Sequence, residues 1–91
     1  MDDLDELLRA LSNKERRRIL NICWSEARPA GEIADTSALA IASVSEHLKV
    51  LRKTGLLKLE KSGRHWLYMT DRKKVSGVIK LLDQSMGAKN E

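Results

Sequence analysis

The sequence predicts a mainly α-helical domain carrying one small β-hairpin, in the order helix, helix, helix, helix, strand, strand, helix. Three observations lead there. Apolar residues recur at the 3.6-residue spacing of amphipathic helices as far as Lys53, and again after Asp71. Between Leu57 and Tyr68 the spacing changes to two, the period of a strand with one covered face. Within that stretch Ser62-Gly63 is a two-residue hairpin signal.

Each element has its own warrant. Leu4, Leu7, Leu8 and Leu11 form the stripe of a first helix, over about residues 2–11. Ser12 and Asn13 interrupt it, and Asn13 is a good N-cap for a second helix from Lys14 to about Ser25, with Ile19, Leu20, Ile22 and Cys23 inward. Pro29 seats the first turn of a short third helix, about Ala30 to Thr36. Ser37, Ala38 and Leu39 read as a tight turn. In the fourth helix, Ile41 to Lys53, one side gathers Ile41, Val44, Leu48 and Leu51, and the other carries Ala42, Ser43, Glu46, Lys49 and Lys53. Gly55 is placed to stop it. If Lys61 faces Arg64 across the hairpin turn, Leu59 falls opposite Trp66 and Leu57 opposite Tyr68, all on one face. Asp71 caps a last helix, about 72–86, whose stripe is Val75, Val78, Ile79, Leu82 and Met86.

Composition narrows the class. Ninety-one residues, 42% hydrophobic and 33% charged, are too apolar for a disordered chain and too charged for a membrane protein. They make one domain, residues 1–91, that buries about 64% of its unfolded surface, so a partner subunit would help it. The longest apolar stretch, around Ala38–Ala42, is far below the ~18 residues that span a bilayer. No secretory segment is evident after Met1, and the expected compartment is the cytosol. One cysteine, Cys23, excludes an intrachain disulfide and a cysteine-built zinc cage.

The net charge of +4 is modest, but it is segregated. The first six residues hold Asp2, Asp3, Asp5 and Glu6, whereas Lys49, Arg52, Lys53, Lys58, Lys61 and Arg64 stand against Glu60 alone. Lys14, Arg16, Arg17 and Arg18 form a second basic cluster. A balance of this size does not by itself imply a nucleic-acid partner, but the segregation makes an electrostatic footprint to test.

The element order is that of a winged helix-turn-helix, with the helix-turn-helix at about 30–53 and the wing at about 56–70. The sequence resembles the ArsR-type (arsenic-repressor-like) family of prokaryotic transcriptional repressors. Four blocks carry the resemblance: Arg16-Arg17-Arg18-Ile19-Leu20, Glu32-Ile33-Ala34, Val44-Ser45-Glu46-His47-Leu48-Lys49-Val50-Leu51 followed by Gly55-Leu56, and Gly63-Arg64 with Tyr68. The chain departs from the family pattern at Asn13-Lys14-Glu15, where Asp-Pro-Thr is common. It departs again at Ala38, the usual turn glycine, and at Ala40, the usual Ser cap. A left-handed backbone at Ala38 would cost about 1–2 kcal/mol.

The resemblance implies double-stranded DNA, in an inverted-repeat operator, as partner. The fourth helix then enters the major groove and the wing rides beside it. Ala42 can meet a thymine methyl, Ser43 can donate or accept, and Glu46 can accept from the amino group of cytosine. The alternative for Ala42 and Ser43 is a solvated helix face, and for Glu46 an ion pair with Lys49 or Lys53. Ser45 and His47 flank this face and are implied to touch phosphates. Lys49, Arg52 and Lys53 would neutralise backbone charge, Lys61 and Arg64 would reach the minor groove, and Arg16 and Arg17 would hold a phosphate. For these cations ordinary solubility is the alternative. Trp66 and Tyr68, on the face of Leu57 and Leu59, read as core packing in preference to base stacking, and Trp24 reads as structural.

In the family the first and last helices form the dimer interface, so Leu4, Leu7, Leu8, Val78, Ile79, Leu82 and Met86 are the interface candidates for a homodimer. The alternative is that they close the monomer's own core. No cofactor is implied, and the residues name no effector. Metal-sensing members use paired cysteines in the third helix or acids and histidines in the last; here neither set is present. His47 has no metal-ligand partners on its face, and Cys23 reads as a core thiol. A winged-helix protein-interaction module remains the competing reading. No nucleophile–base pair, phosphate-cradling glycine loop or carboxylate pair suggests an enzyme.

Overall fold

Side-chain caps set the helix starts that the sequence marked. A computed structural model of the chain describes residues 4–88, so residues 2 and 3 of the expected first helix lie outside them. Helix α1 spans Leu4–Leu11 and α2 Lys14–Ile22. At the start of α2, Asn13 Oδ1 accepts from the Arg16 N–H at 3.0 Å. Next come β1 (Arg28–Pro29), α3 (Ala30–Asp35), α4 (Ile41–Lys53), β2 (Leu57–Ser62), β3 (His65–Thr70) and α5 (Arg72–Asp83). A π-helical turn, Gln84–Ala88, extends α5. Asp71 Oδ1 caps α5 by accepting from the Lys74 N–H at 3.1 Å.

Helix α4 ends as its glycine requires. Gly55 adopts φ +82°, where a side chain would be strained. Its N–H reaches the Arg52 carbonyl and the Leu56 N–H reaches the Leu51 carbonyl, both at 3.1 Å, the paired bonds of a Schellman motif. The turn before α4 needs no such residue. No non-glycine among the described residues has positive φ, so Ala38 carries none of the left-handed strain. Ser37 Oγ instead accepts from the Leu39 N–H at 3.0 Å, an ST-turn that shapes the bend with side-chain chemistry.

Four expectations are corrected by tertiary contacts. Helix α2 stops at Ile22 and not at Ser25, because the Cys23 carbonyl is taken by the Thr70 N–H at 3.0 Å. Pro29 stands before α3 as its N-cap, with φ −75° and ψ 156°, and does not occupy its first turn. It also belongs to β1, which pairs antiparallel with β3 and makes the sheet three-stranded, in the order β1-β3-β2. The hairpin turn is Gly63-Arg64, since Ser62 pairs with His65. Gly63 has φ +62° at the first loop position, as a type II′ turn asks.

The moved turn shifts the register by one residue on each strand and leaves the faces unchanged. Leu59 pairs with Tyr68, Leu57 with Thr70 and Lys61 with Trp66. Leu57 and Thr70 are buried and Leu59 and Tyr68 half-buried. Trp66, near the hairpin tip and beyond the reach of the helices, is 54% exposed, so it is not a core residue. Trp24 is half-buried beneath the Arg72 guanidinium, 5.9 Å from its ring centre.

One apolar cluster holds the elements together. Ile19, Cys23, Ile33, Leu51 and Leu56 are fully enclosed, with Leu7, Ala10, Leu20, Val44, Leu48, Leu57 and Val78 around them. Thr70 is the one buried polar residue described, and its Oγ1 donates to the Leu20 carbonyl at 2.8 Å. That bond ties β3 to α2 and satisfies a hydroxyl that would otherwise be costly to bury.

Candidate nucleic-acid interface

Val44, Leu48 and Leu51 seat α4 on α2, α3 and β2. The residues between them are thereby turned to solvent. Ala42, Ser43, Ser45, Glu46, Lys49, Arg52 and Lys53 are all exposed, on a helix slim enough for the ~12 Å major groove. Ser45, Lys49, Arg52 and Lys53 also line a shallow cleft with Ala30, Leu48 and Tyr68. Glu46 Oε1 lies 3.9 Å from Lys49 Nζ, a long contact between two exposed groups that leaves both free to turn elsewhere.

His47 is only half-exposed. Its Nδ1 is buried without a hydrogen-bond partner, so Nε2 alone is available to a phosphate.

A polar clamp fixes the approach to α4. Arg18 grips Glu15 with two bonds, Nε to Oε1 at 2.9 Å and Nη2 to Oε2 at 2.7 Å, and reaches Thr36 Oγ1 at 2.9 Å. Ser37 Oγ donates to the same Glu15 at 2.8 Å. The first turn of α2 is thus bound to the bend between α3 and α4. The Arg18 fork holds the Glu15 carboxyl below its ordinary range, burial opposes this, and Ser37 adds to the lowering.

Arg16 and Arg17 are placed otherwise than the sequence suggested. Arg16 donates from Nε to the Ala10 carbonyl at 2.9 Å and from Nη2 to the Arg9 carbonyl at 3.2 Å. Arg17 Nη1 donates to the Leu11 carbonyl at 2.8 Å. The two arginines therefore cap the open carbonyl end of α1, where positive charge is also favoured.

At the wing Lys61 and Arg64 are exposed, and neither belongs to an ion pair among the described residues. Lys61 Nζ lies 5.6 Å from the centre of the Trp66 ring.

The interface candidates divide into two sets. Leu7 and Val78, each 3% exposed, are monomer core and cannot meet a second copy. Leu4, Leu8 and Leu82 are half-buried, while Ile79 and Met86 stand out at 64% and 68% exposure. Helix α1 lies against α5.

Periodicity also misplaced Ile41, which is 73% exposed. Helical side chains lean toward the N-terminus, so the first residue of α4 points past the helix start, where nothing overhangs it. Leu39 is exposed as well, at 42%. The available signal was the run Ala38-Leu39-Ala40-Ile41-Ala42, wholly apolar yet placed at a surface bend.

Cys23 is fully enclosed, and burial pushes its thiol up to about 11. Ellman's reagent is expected to leave it unreacted in the native protein at pH 7.5 and to titrate one thiol per chain in urea. Fast native reaction would contradict that burial. Among the described residues no group of three His, Cys, Asp or Glu side chains could hold a metal, and no helix is long and apolar enough to cross a membrane.

Known proteins share this arrangement. A family described as a helix-turn-helix domain matches residues 11–60. The transcriptional activator HlyU of Vibrio cholerae is 30% identical over 76 residues, which are 84% of this chain and 70% of that protein. Its reduced form, as a solved structure, superposes with a TM-score of 0.69 at 28% identity, covering 91% of this chain and 87% of that one. The HTH-type transcriptional repressor SmtB of Mycobacterium tuberculosis is 37% identical over 68 residues, 75% of this chain and 50% of the repressor, so the chain spans half its length. An ArsR-like transcriptional regulator from Rhodococcus sp. RHA1 shares the fold, with a TM-score of 0.83 at 23% identity over 90% of this chain and 77% of that one. The chain belongs to the helix-turn-helix domain family of transcriptional regulators, and it shares the winged fold of the ArsR-like regulator.

Proposed function

We propose that the protein is a homodimeric repressor that binds double-stranded DNA at an inverted-repeat operator. The observation that carries this reading is α4. Its buried face is fully spent on the core, and its outer face, with the wing, is exposed, polar and basic. Ala42, Ser43 and Glu46 meet base edges, and Ser45, His47 through Nε2, Lys49, Arg52 and Lys53 meet phosphates. Lys61 and Arg64 follow the adjoining minor groove. The donors of Arg16 and Arg17 left over from capping α1 supplement this charge. Leu4, Leu8, Ile79, Leu82 and Met86 pair two copies, giving the two-fold symmetry that a palindrome matches.

The protein acts by occupying DNA and not by catalysis. Repression follows from excluding polymerase at the operator. The relatives are named both activator and repressor, so the sign of regulation is read by transcription in vitro from a promoter containing the selected operator. A fall in transcript on adding the protein supports repression, and a rise refutes it.

DNA contact is tested by two substitutions. Arg64→Ala, which removes one contact from each of the two copies, is expected to weaken binding to every sequence and lower the salt slope by about two. Ser43→Ala is expected to change which base is preferred at one position per half-site. Equal, sequence-independent losses from both would remove Ser43 from base readout.

A further inference from the structure

The bend into α4 is apolar where a DNA-reading tip is ordinarily polar. From Ala38 to Ala42 no side chain carries a hydrogen-bonding group, and all five residues are exposed. Ala40 occupies the N-cap without a side-chain bond. Leu39 and Ile41 supply most of the apolar surface, and Ile41 projects beyond the first turn of the helix. Ala42 continues the patch onto the outer face with Ser43, Glu46 and Lys49, the face proposed above to enter the groove, whereas Ile41 stands on the side of Val44 and Leu48 and is uncovered as the first residue of the helix.

Nothing in the fold requires isoleucine there, because the core is already closed by Val44, Leu48 and Leu51. Its surface is therefore available to a ligand. Recognition helices place their N-terminal residues against base edges. In the major groove, thymine alone among the bases presents an apolar group, its C5-methyl.

We propose that Ile41, with Leu39 and Ala42 beside it, reads thymine methyl groups, so that each operator half-site carries thymines opposite the start of α4. This rests on the DNA-binding reading above and adds the class of sequence that it selects. The apolar edge reads by methyl contact, while Ser43 and Glu46 read neighbouring bases by hydrogen bonds.

The test begins with selection of a preferred duplex from a random library by the 91-residue chain. Each thymine of the selected half-site is then replaced by deoxyuridine, which keeps the pairing and the O4 acceptor and removes only the methyl. Wild type is expected to bind about fourfold more weakly for each contacted methyl lost. Ile41→Ala, at an exposed position that leaves the thermal midpoint unchanged, is expected to lose the thymine-over-deoxyuridine preference at the position where wild type shows it most strongly. If wild type binds its selected duplex and ignores deoxyuridine at every position, the methyl readout is overturned while the regulator reading stands. The methyl readout is equally overturned if Ile41→Ala keeps the full discrimination, which would assign the patch to another partner. A library that yields no preferred sequence overturns the regulator reading itself.

Discussion

Ile79→Glu is expected to turn the protein into a monomer at micromolar concentration and to weaken operator binding by about 100-fold or more. Ile79 is 64% exposed on α5, whose one fully buried residue is Val78. The monomer therefore tolerates the change, and its far-ultraviolet circular dichroism is expected to stay helical. A symmetric interface counts the substitution twice and encloses two carboxylates without partners, a costly arrangement. Separating the copies also removes the effective concentration that links two half-site contacts, worth on the order of 10²- to 10⁴-fold. Sedimentation velocity reads the first effect and a mobility shift the second. A dimer that survives Ile79→Glu would place the interface elsewhere than α5.

Ile33→Ala is expected to lower the unfolding free energy by about 2–5 kcal/mol, a large part of the roughly 5–15 kcal/mol that holds a small domain. Helix α3 has six residues, no side-chain N-cap and one buried residue, Ile33. Its visible ion pair, Arg28 Nη1 to Glu32 Oε1 at 2.8 Å, is exposed and contributes little. The Arg18–Thr36 and Ser37–Glu15 bonds and the β1–β3 pairing hold the two ends of α3, but Ile33 is the helix's one fully buried side chain. Thermal unfolding should show a midpoint about 10 °C or more below wild type, with DNA affinity falling as α4 loses its support. A shift of about 2 °C or less would show that α3 is held by other means.

Helix faces were legible in the sequence because their period is geometric. Asn13, Asp71 and Gly55 marked their helix ends, since caps and left-handed glycines act within a few residues of themselves. The bounds of α4, Ile41–Lys53, follow from the same local chemistry. What was not legible depends on distant partners. Strand β1 is two residues long and exists through its pairing with β3. Helix α2 ends where Thr70 takes the Cys23 carbonyl.

The candidate site divides along the same line. The outward set on α4 was readable from periodicity, and it is exposed. A wheel groups Ile41 with Val44, Leu48 and Leu51 because a wheel has no ends, whereas a real helix leaves its first side chain uncovered. Arg16 and Arg17 read as a basic patch in sequence, where nothing shows that the carbonyl end of α1 lies within their reach. Moving the hairpin turn by one residue carried Trp66 from an expected core pair with Leu59 to a solvent-facing pair with Lys61.

The measurement that bears most directly on DNA binding by α4 and the wing is the affinity for the selected operator as a function of salt. Lys49, Arg52, Lys53, Lys61 and Arg64 on each copy imply a slope of log affinity on log salt between about −4 and −9, at about −0.9 per phosphate. A steep slope within that range, with the operator preferred over scrambled duplex throughout, is the expected result. A flat salt dependence, or equal affinity for both duplexes at every salt concentration, would contradict it.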